Sequence, residues 1–163
     1  MICGWTCFIA VMFIISKVYF TLWMKDTKEV RAYKTTLDED QLTLYTKIVN
    51  ERKALALQGY GLGLGLSIGY LMGRHLLFKS STKAKNSFIN SSIANICMVV
   101  AVTFTVQYFY YILSPKQNWM VTGLKNKEQI EGWQKVYRHF SWHYHLSILI
   151  GLIGAGLLGY SFC

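Results

Sequence analysis

Histidine offers the most versatile chemistry in this sequence, because an imidazole can bind a metal or haem and can carry a proton near neutral pH. Three of the four histidines, His139, His143 and His145, lie close together in the chain. A helix would place His139 and His143 on one face, a spacing that can hold a metal ion. The alternative, which we favour, is a belt at the membrane interface formed with Trp142 and Tyr144.

Haem bound between helices would need two histidines from different helices at similar depth. The fourth histidine, His75, is expected at the opposite membrane face from His143, so these two would not share a haem. Among the cysteines only Cys3 and Cys7 are close in sequence, and we interpret all four as small apolar residues. We therefore predict no catalytic residue, no metal and no cofactor.

The elements that would position these residues are four apolar stretches. They cover approximately residues 2–24, 54–78, 88–113 and 142–162, each near the ~20 residues that a helix needs to cross a bilayer. The chain has 163 residues, 53% of them hydrophobic, and a mean hydropathy of +0.27. A soluble chain of this length cannot bury four such helices. The sequence predicts an all-α, polytopic membrane protein with four transmembrane helices.

Charged residues are absent from the middles of these stretches, which argues against an ion pathway or an enzyme within the membrane. Lys17 is expected to extend its ammonium group from the first stretch to the interface. The net charge of +9 does not predict nucleic-acid binding, because no folded basic surface domain accompanies it. Basic residues at the end of the second stretch and after it are instead predicted to contact anionic lipid headgroups. These residues are Arg74, Lys79, Lys83 and Lys85.

Small residues recur every four positions in the second and fourth stretches, a glycine-zipper pattern that lets helices approach closely in lipid. In the second stretch two such series lie on nearly opposite faces of a helix, which predicts that the helix is packed on two sides. The predicted packing residues are Gly59, Gly61, Gly63, Gly65, Gly69, Gly73, Gly151, Ala155 and Gly159.

Amphipathic helices are predicted over residues 37–53 and 126–141, each leading into an apolar stretch. Thr36 with Glu39 predicts a capping box at the start of the first, and Asn126 with Gln129 predicts a cap for the second. No proline or glycine separates the first helix from the glycine-rich stretch, so one helix is expected to continue to Phe78.

An internal repeat appears when the sequence is shifted by 88 residues. The shift aligns Gln41 with Gln129, Tyr45 with Trp133, and Ile48 with Val136. It also aligns the small residues at 59, 63 and 67 with those at 147, 151 and 155. We interpret residues 1–87 and 88–163 as tandem copies of a unit made of a membrane helix, an amphipathic helix and a second membrane helix.

Residues 111–116 (YILSPK), followed by Trp119-Met120 and Glu128-Gln129, resemble segments of small multi-pass membrane proteins of large nucleocytoplasmic DNA viruses. Residues 42–52, which lead into the glycine-rich stretch, are similar to them too. The resemblance implies a protein of the virion's internal membrane whose extramembrane helices contact capsid proteins.

These patterns together predict a non-enzymatic integral membrane scaffold. Its expected partners are membrane lipids, other protein subunits or capsid proteins, or a second copy of the chain. One alternative is an accessory membrane subunit of a respiratory or other large complex, for example in the mitochondrial inner membrane. Another alternative is a haem- or metal-binding membrane redox protein that uses the clustered histidines.

Overall fold

A computed structural model of the chain describes residues 2–22, 27–78 and 92–161. Within those ranges the protein is helical and contains no strand, which confirms the predicted all-α class. The elements are α1 (Ile2–Leu22), α2 (Lys28–Lys34), α3 (Glu39–Phe78), α4 (Ser92–Leu113), a 3-10 turn (Met120–Gly123) and α5 (Lys127–Ser161).

Three helical segments are long and apolar enough to cross a membrane: Glu39–Gly73, Asn95–Leu113 and Lys127–Tyr160. A shorter apolar segment, Cys7–Leu22, belongs to α1. As predicted, the first amphipathic segment and the glycine-rich segment form one unbroken helix, α3, of 40 residues. At about 1.5 Å per residue this helix is roughly 60 Å long, about twice the ~30 Å hydrocarbon thickness of a bilayer.

The start of α3 differs from the prediction. The capping residues are Asp38 and Gln41: the Gln41 backbone N–H donates to the Asp38 carboxylate at 2.8 Å, and the Asp38 N–H donates to the Gln41 side-chain oxygen at 3.1 Å. The predicted box of Thr36 and Glu39 is wrong, because the Thr36 hydroxyl donates to the Tyr33 carbonyl at 2.7 Å instead. Tyr33 belongs to α2, a short helix that the sequence pattern did not predict.

The long helices pack as two antiparallel pairs, α1 with α5 and α3 with α4. In the first pair Lys17 meets Ser147, while Ala10, further back in α1, meets Gly154, further along α5. In the second pair Gly59 lies against Gln107, and Gly63 lies against Thr103. Each pair therefore joins a helix from the first half of the chain to one from the second half.

A small hydrophobic core lies where α2, the first part of α3, the 3-10 turn and the first part of α5 meet. Its buried residues are Val30, Tyr33, Tyr45, Ile48, Met120 and Val136. Burial raises the pKa of the Tyr33 phenol to about 12. We call this cluster the extramembrane core, because the sequence predicts the first parts of α3 and α5 outside the membrane. Tyr45 and Ile48 lie within the first predicted amphipathic helix, and both are buried in this cluster.

Residues that are 88 positions apart meet directly in and beside the extramembrane core. The side-chain amides of Gln41 and Gln129 exchange two hydrogen bonds, of 3.1 and 3.0 Å. The rings of Tyr45 and Trp133 meet edge to face, with 6.4 Å between their centroids. Two equivalent residues that exchange the same bond in both directions are what an approximate two-fold axis between the halves would produce.

Two charged side chains, those of Glu51 and Lys116, hold the connection between α4 and the 3-10 turn in place. The Glu51 carboxylate accepts hydrogen bonds from the backbone N–H groups of Gln117 and Asn118. The Lys116 ammonium donates to the carbonyls of Tyr111 and Ile112 at 2.6 and 2.7 Å, which satisfies acceptors at the C-terminal end of α4. The Glu51 contacts tie the connection that follows α4 to the first third of α3.

Candidate functional site: a buried lysine

Lys17 of α1 is fully buried, with 0% of its surface exposed. Its ammonium donates hydrogen bonds to Thr21 Oγ1 at 3.0 Å, to Gln107 Oε1 at 2.9 Å and to Ser147 Oγ at 3.3 Å. An ammonium has three N–H donors, so these three acceptors match its full capacity. The prediction that Lys17 would reach the membrane interface is therefore wrong, because its side chain turns inward to these acceptors.

Aromatic rings surround the same ammonium. Its nitrogen lies 5.9 Å from the ring centroids of Tyr60 and Phe104, and 5.5 Å from that of Tyr144. These distances fall within the ~6 Å range in which the negative face of a ring attracts a cation. With Tyr60 on α3, Phe104 and Gln107 on α4, and Tyr144 on α5, all four long helices contribute to the site.

The acceptors are oriented by further hydrogen bonds. The Ser147 hydroxyl donates to the Tyr144 carbonyl at 2.7 Å, and the Thr21 hydroxyl donates to the Lys17 carbonyl at 2.9 Å. Each hydroxyl thus uses its proton on its own helix and turns a lone pair to the ammonium. The Gln107 amide nitrogen donates to the Tyr144 phenol oxygen at 3.1 Å, which turns the amide oxygen to Lys17.

No carboxylate pairs with Lys17 among the side chains that the structure describes. A buried cation without an anion is expensive to desolvate, and it is stable only where dipoles and ring faces replace the lost water. The Lys17 site supplies such groups from three neighbouring helices. Lys17 and Gln107 are also the residues that the sequence reasoning missed, although a glutamine inside an apolar helix and a lysine four residues before Thr21 were available signals.

The predicted packing glycines divide into two sets. A Cβ on Gly63 would lie 2.8 Å from both the Cα and the carbonyl oxygen of Thr103, and a Cβ on Gly59 would lie 3.0 Å from the Gln107 Cα. These two glycines therefore meet the backbone of α4. The second set has nothing within 4 Å of the Cβ position among the described atoms, so its packing role stays a prediction that needs a neighbour. This second set comprises Gly61, Gly65, Gly69 and Gly73.

In the apolar part of α5 the predicted small residues face inward. A Cβ on Gly151 would lie 2.8 Å from the Phe104 ring and 3.0 Å from the Lys17 side chain. Ala155 is buried, and Gly159 lies 3.8 Å from the Cys97 sulfur by the same measure. The headgroup prediction for Arg74, Lys79, Lys83 and Lys85 rests on side chains that lie outside the described residues.

The clustered histidines do not converge on one point. The His139 and His143 rings are 4.3 Å apart, and His143 Nδ1 bonds the His139 carbonyl at 2.8 Å. His145 turns to α4 instead, where its Nδ1 bonds the Tyr108 hydroxyl at 2.9 Å. Across the described residues no three groups of metal-ligating type come together. The side chain of His75 lies outside the described part of the chain.

The predicted interfacial belt is also only partly correct. Trp142 and His145 are exposed, as a belt requires. Tyr144 instead packs inside, stacked on Tyr108 and 4.4 Å from the Tyr111 ring centroid. Successive residues of a helix point in directions about 100° apart, so a run of four aromatic or imidazole side chains cannot all face lipid.

Comparison with known proteins gives no relative for this arrangement: no protein-family model matches the chain, and neither the curated proteins nor the solved structures contain a significant match.

Proposed function

We propose that this protein is a non-enzymatic integral membrane scaffold with four membrane-spanning helices. The fourth span would be α1, a helix of 21 residues that contacts α5 along its length. A helix of that length covers about 31 Å, which matches the hydrocarbon thickness of a bilayer. The buried Lys17 is compatible with this assignment because its charge faces the other helices and not lipid.

We also propose that the two halves arose by duplication. Support comes from the pairs Gln41–Gln129 and Tyr45–Trp133, in which equivalent residues contact each other. Further support comes from burial, since Gly63, Gly151, Ser67 and Ala155 are all buried at equivalent positions. Because each membrane pair combines one helix from each copy, the two units would hold each other in place.

One observation carries the scaffold proposal: the helices that build the extramembrane core are the same helices that enter the apolar bundle. α3 and α5 run through both regions without a break. A force applied to the extramembrane core would therefore be transmitted along the helix axes into the bundle. Lys17 supports the same role, because two of its three donors join α1 to α4 and α5 and the third is taken by Thr21 of α1, which leaves none for a substrate.

The open face of α3 is where the scaffold would bind its neighbour. This face carries the second glycine set, Gly61, Gly65, Gly69 and Gly73, with leucines between them. Another subunit or a second copy could approach the backbone there as closely as α4 does on the opposite side. In the proposed setting, a virion's internal membrane, the extramembrane core would face capsid proteins.

The test compares two glycines that are equally open. Gly65→Leu should abolish a higher-order species seen after crosslinking in native membranes, because the leucine blocks a close helix contact. Gly156→Leu is the matched control, since Gly156 on α5 also has no atom within 4 Å of its Cβ position. If both variants fold and both still form the higher-order species, the scaffold role of this face is contradicted.

A second experiment separates the settings. The full chain, purified under mild conditions from its native membrane, should bring down stoichiometric capsid components if the viral setting is correct. Stable recovery with redox subunits would instead identify an accessory subunit of a respiratory complex. An absorbance spectrum of the same sample tests the haem alternative, which predicts a strong Soret band.

A further inference from the structure

An open groove of about 400 Å³ runs along the outer face of α5, where the extramembrane part of the helix passes into its apolar part. We call it the α5 groove. Its lining residues are Gln134, Tyr137, Arg138, Ser141, Trp142 and His145. Tyr137 and Trp142 are 57% and 67% exposed, so most of the surface of the two largest rings of the groove is open to a ligand.

The side chains that line the α5 groove favour a ligand with hydrogen-bond acceptors. Each of the six side chains carries at least one hydrogen-bond donor, and none is a carboxylate. The last acidic residue before the groove is Glu131, and no acidic residue follows it in the chain. Arg138 forms no hydrogen bond or ion pair with the side chains that the structure describes, in contrast to Arg52, which bonds Glu51. A donor-rich lining with a free guanidinium suits an anion with several oxygens, such as a phosphate.

The position of the groove narrows the source of that phosphate. Directly beyond it, the same face of α5 continues with Leu149 and Ile153, which are 57% and 52% exposed. These residues follow Trp142 at intervals of seven and four, so they lie below it on the helix surface. The exposed tryptophan and tyrosine are the side chains that membrane proteins place at headgroup level. A ligand with a phosphate at one end and alkyl chains at the other fits the whole face.

We propose that the α5 groove binds one anionic phospholipid, with the phosphate at Arg138 and the acyl chains along Leu149 and Ile153. Tyr137 and Trp142 flank the headgroup, and Ser141 and Gln134 offer further donors to its oxygens. This site is distinct from the predicted headgroup contacts at Arg74, Lys79, Lys83 and Lys85, which follow the C-terminal part of α3. It does not depend on the scaffold proposal.

The experiment is a lipid titration of the full chain in neutral detergent, with bound lipids counted by native mass spectrometry. Dioleoyl phosphatidylglycerol should bind first to a single saturable site, and more tightly than dioleoyl phosphatidylcholine. Arg138→Gln should weaken the first binding event about fivefold, the effect of one basic side chain near a membrane surface. Lys135→Gln, which removes the same charge from an exposed position of α5 outside the groove, should change it less than twofold.

Further measurements distinguish a phospholipid in the α5 groove from free phosphate or a second copy of the chain. Inorganic phosphate at the same concentration should not displace the lipid, and full displacement would identify a free-phosphate site and overturn the proposal. Equal affinity for the two lipids, or equal effects of Arg138→Gln and Lys135→Gln, would overturn it as well. A shift from dimer to monomer in Arg138→Gln without a change in lipid binding would show that a second copy covers the groove. Because Arg138 is exposed, the variant should keep its helical circular dichroism.

Discussion

The contact between α3 and α4 and the contact between α1 and α5 correspond to each other under the shift of 88 residues, yet they are made by different side chains. In the first, Gly59 and Gly63 bring the α3 backbone against the backbone of α4. In the second, Ser147 stands where the first has Gly59, and its hydroxyl accepts a hydrogen bond from Lys17. Gly151, the equivalent of Gly63, meets the side chains of Phe104 and Lys17 and not a backbone.

This difference teaches that the same spacing of small residues can serve two kinds of helix packing. Two glycines allow direct backbone contact, which dispersion forces stabilise in lipid. A serine at one of those positions admits a long polar side chain from the neighbouring helix, and the polar group must then be satisfied inside the bundle. Lys17 is that group, and its site draws in α4 as a third partner through Gln107.

The largest expected effect comes from removing the strongest partner of Lys17. Gln107→Leu should lower the free energy of unfolding by about 3 kcal/mol, because it leaves a buried cation without its shortest hydrogen bond. In a Lys17→Met background the same substitution should cost less than about 1 kcal/mol, since no charge is left unpaired. Equilibrium unfolding of the four proteins of this cycle in detergent micelles measures both values. Equal costs in the two backgrounds would mean that the Lys17 charge does not govern this contact.

The next effect compares the two kinds of glycine directly. Gly63→Ala should destabilise the protein by about 2 kcal/mol, because its Cβ would press on the rigid Thr103 backbone. Gly151→Ala should cost about 1 kcal/mol or less, since the Phe104 ring and the Lys17 chain can shift. Gly65→Ala, at an open position, is the control and should be neutral or slightly stabilising. Thermal unfolding in the same detergent ranks the three; a larger loss for Gly151→Ala than for Gly63→Ala would reverse the comparison.

The Gln41–Gln129 contact should respond equally to a change on either side. Gln41→Ala and Gln129→Ala each remove one member of a buried reciprocal pair and should each cost about 1–2 kcal/mol. The double variant should cost less than the sum of the two, because both single variants break the same pair of bonds. Thr43→Ala on the exposed side of α3 serves as the control. A twofold difference between the two single variants would argue against a shared axis.

The smallest effect is a dependence on pH at the cap of α3. The Lys125 ammonium, 2.8 Å away, and the Gln41 backbone N–H hold the pKa of the Asp38 carboxyl below its usual value. A carboxyl with a lowered pKa stabilises the folded state fully above its unfolded pKa of about 4, and this contribution is lost as the pH falls through the folded value. Thermal unfolding at pH 6 and pH 3 should show a drop that is smaller in Asp38→Asn. Glu39→Gln, which removes the neighbouring carboxyl, should leave the drop nearly unchanged.

The features that could be predicted from the sequence are those in which apolar residues recur with a clear helical period. The continuity of α3 and its buried stripe at Tyr45 and Ile48 follow from an uninterrupted helical pattern. The contact between Gln41 and Gln129 could be anticipated only in part: the shift of 88 residues identified them as equivalent, but not as partners. Whether two such residues contact each other depends on how the helices assemble, and an alignment of the sequence with itself does not contain that information.

The Lys17 site could not be predicted for a physical reason. A lysine in the last third of an apolar helix usually extends its side chain to water. The buried position is more stable only when hydrogen-bond acceptors are available between the helices. Those acceptors come from residues 90 and 130 positions away in the chain. The short helix α2 was missed because seven residues give too few turns for a periodic pattern to stand out.

The burial of Lys17 also bears on the order in which the protein is made. The ribosome delivers α1 long before Gln107 and Ser147, so during synthesis its ammonium has neither of these acceptors. If α1 enters the bilayer as proposed, its long side chain can meanwhile extend to the headgroups, and the inward position becomes favourable only when α4 and α5 supply acceptors. The inward position of Lys17 therefore depends on helices that are made later, and α1 alone does not provide the acceptors from Gln107 and Ser147.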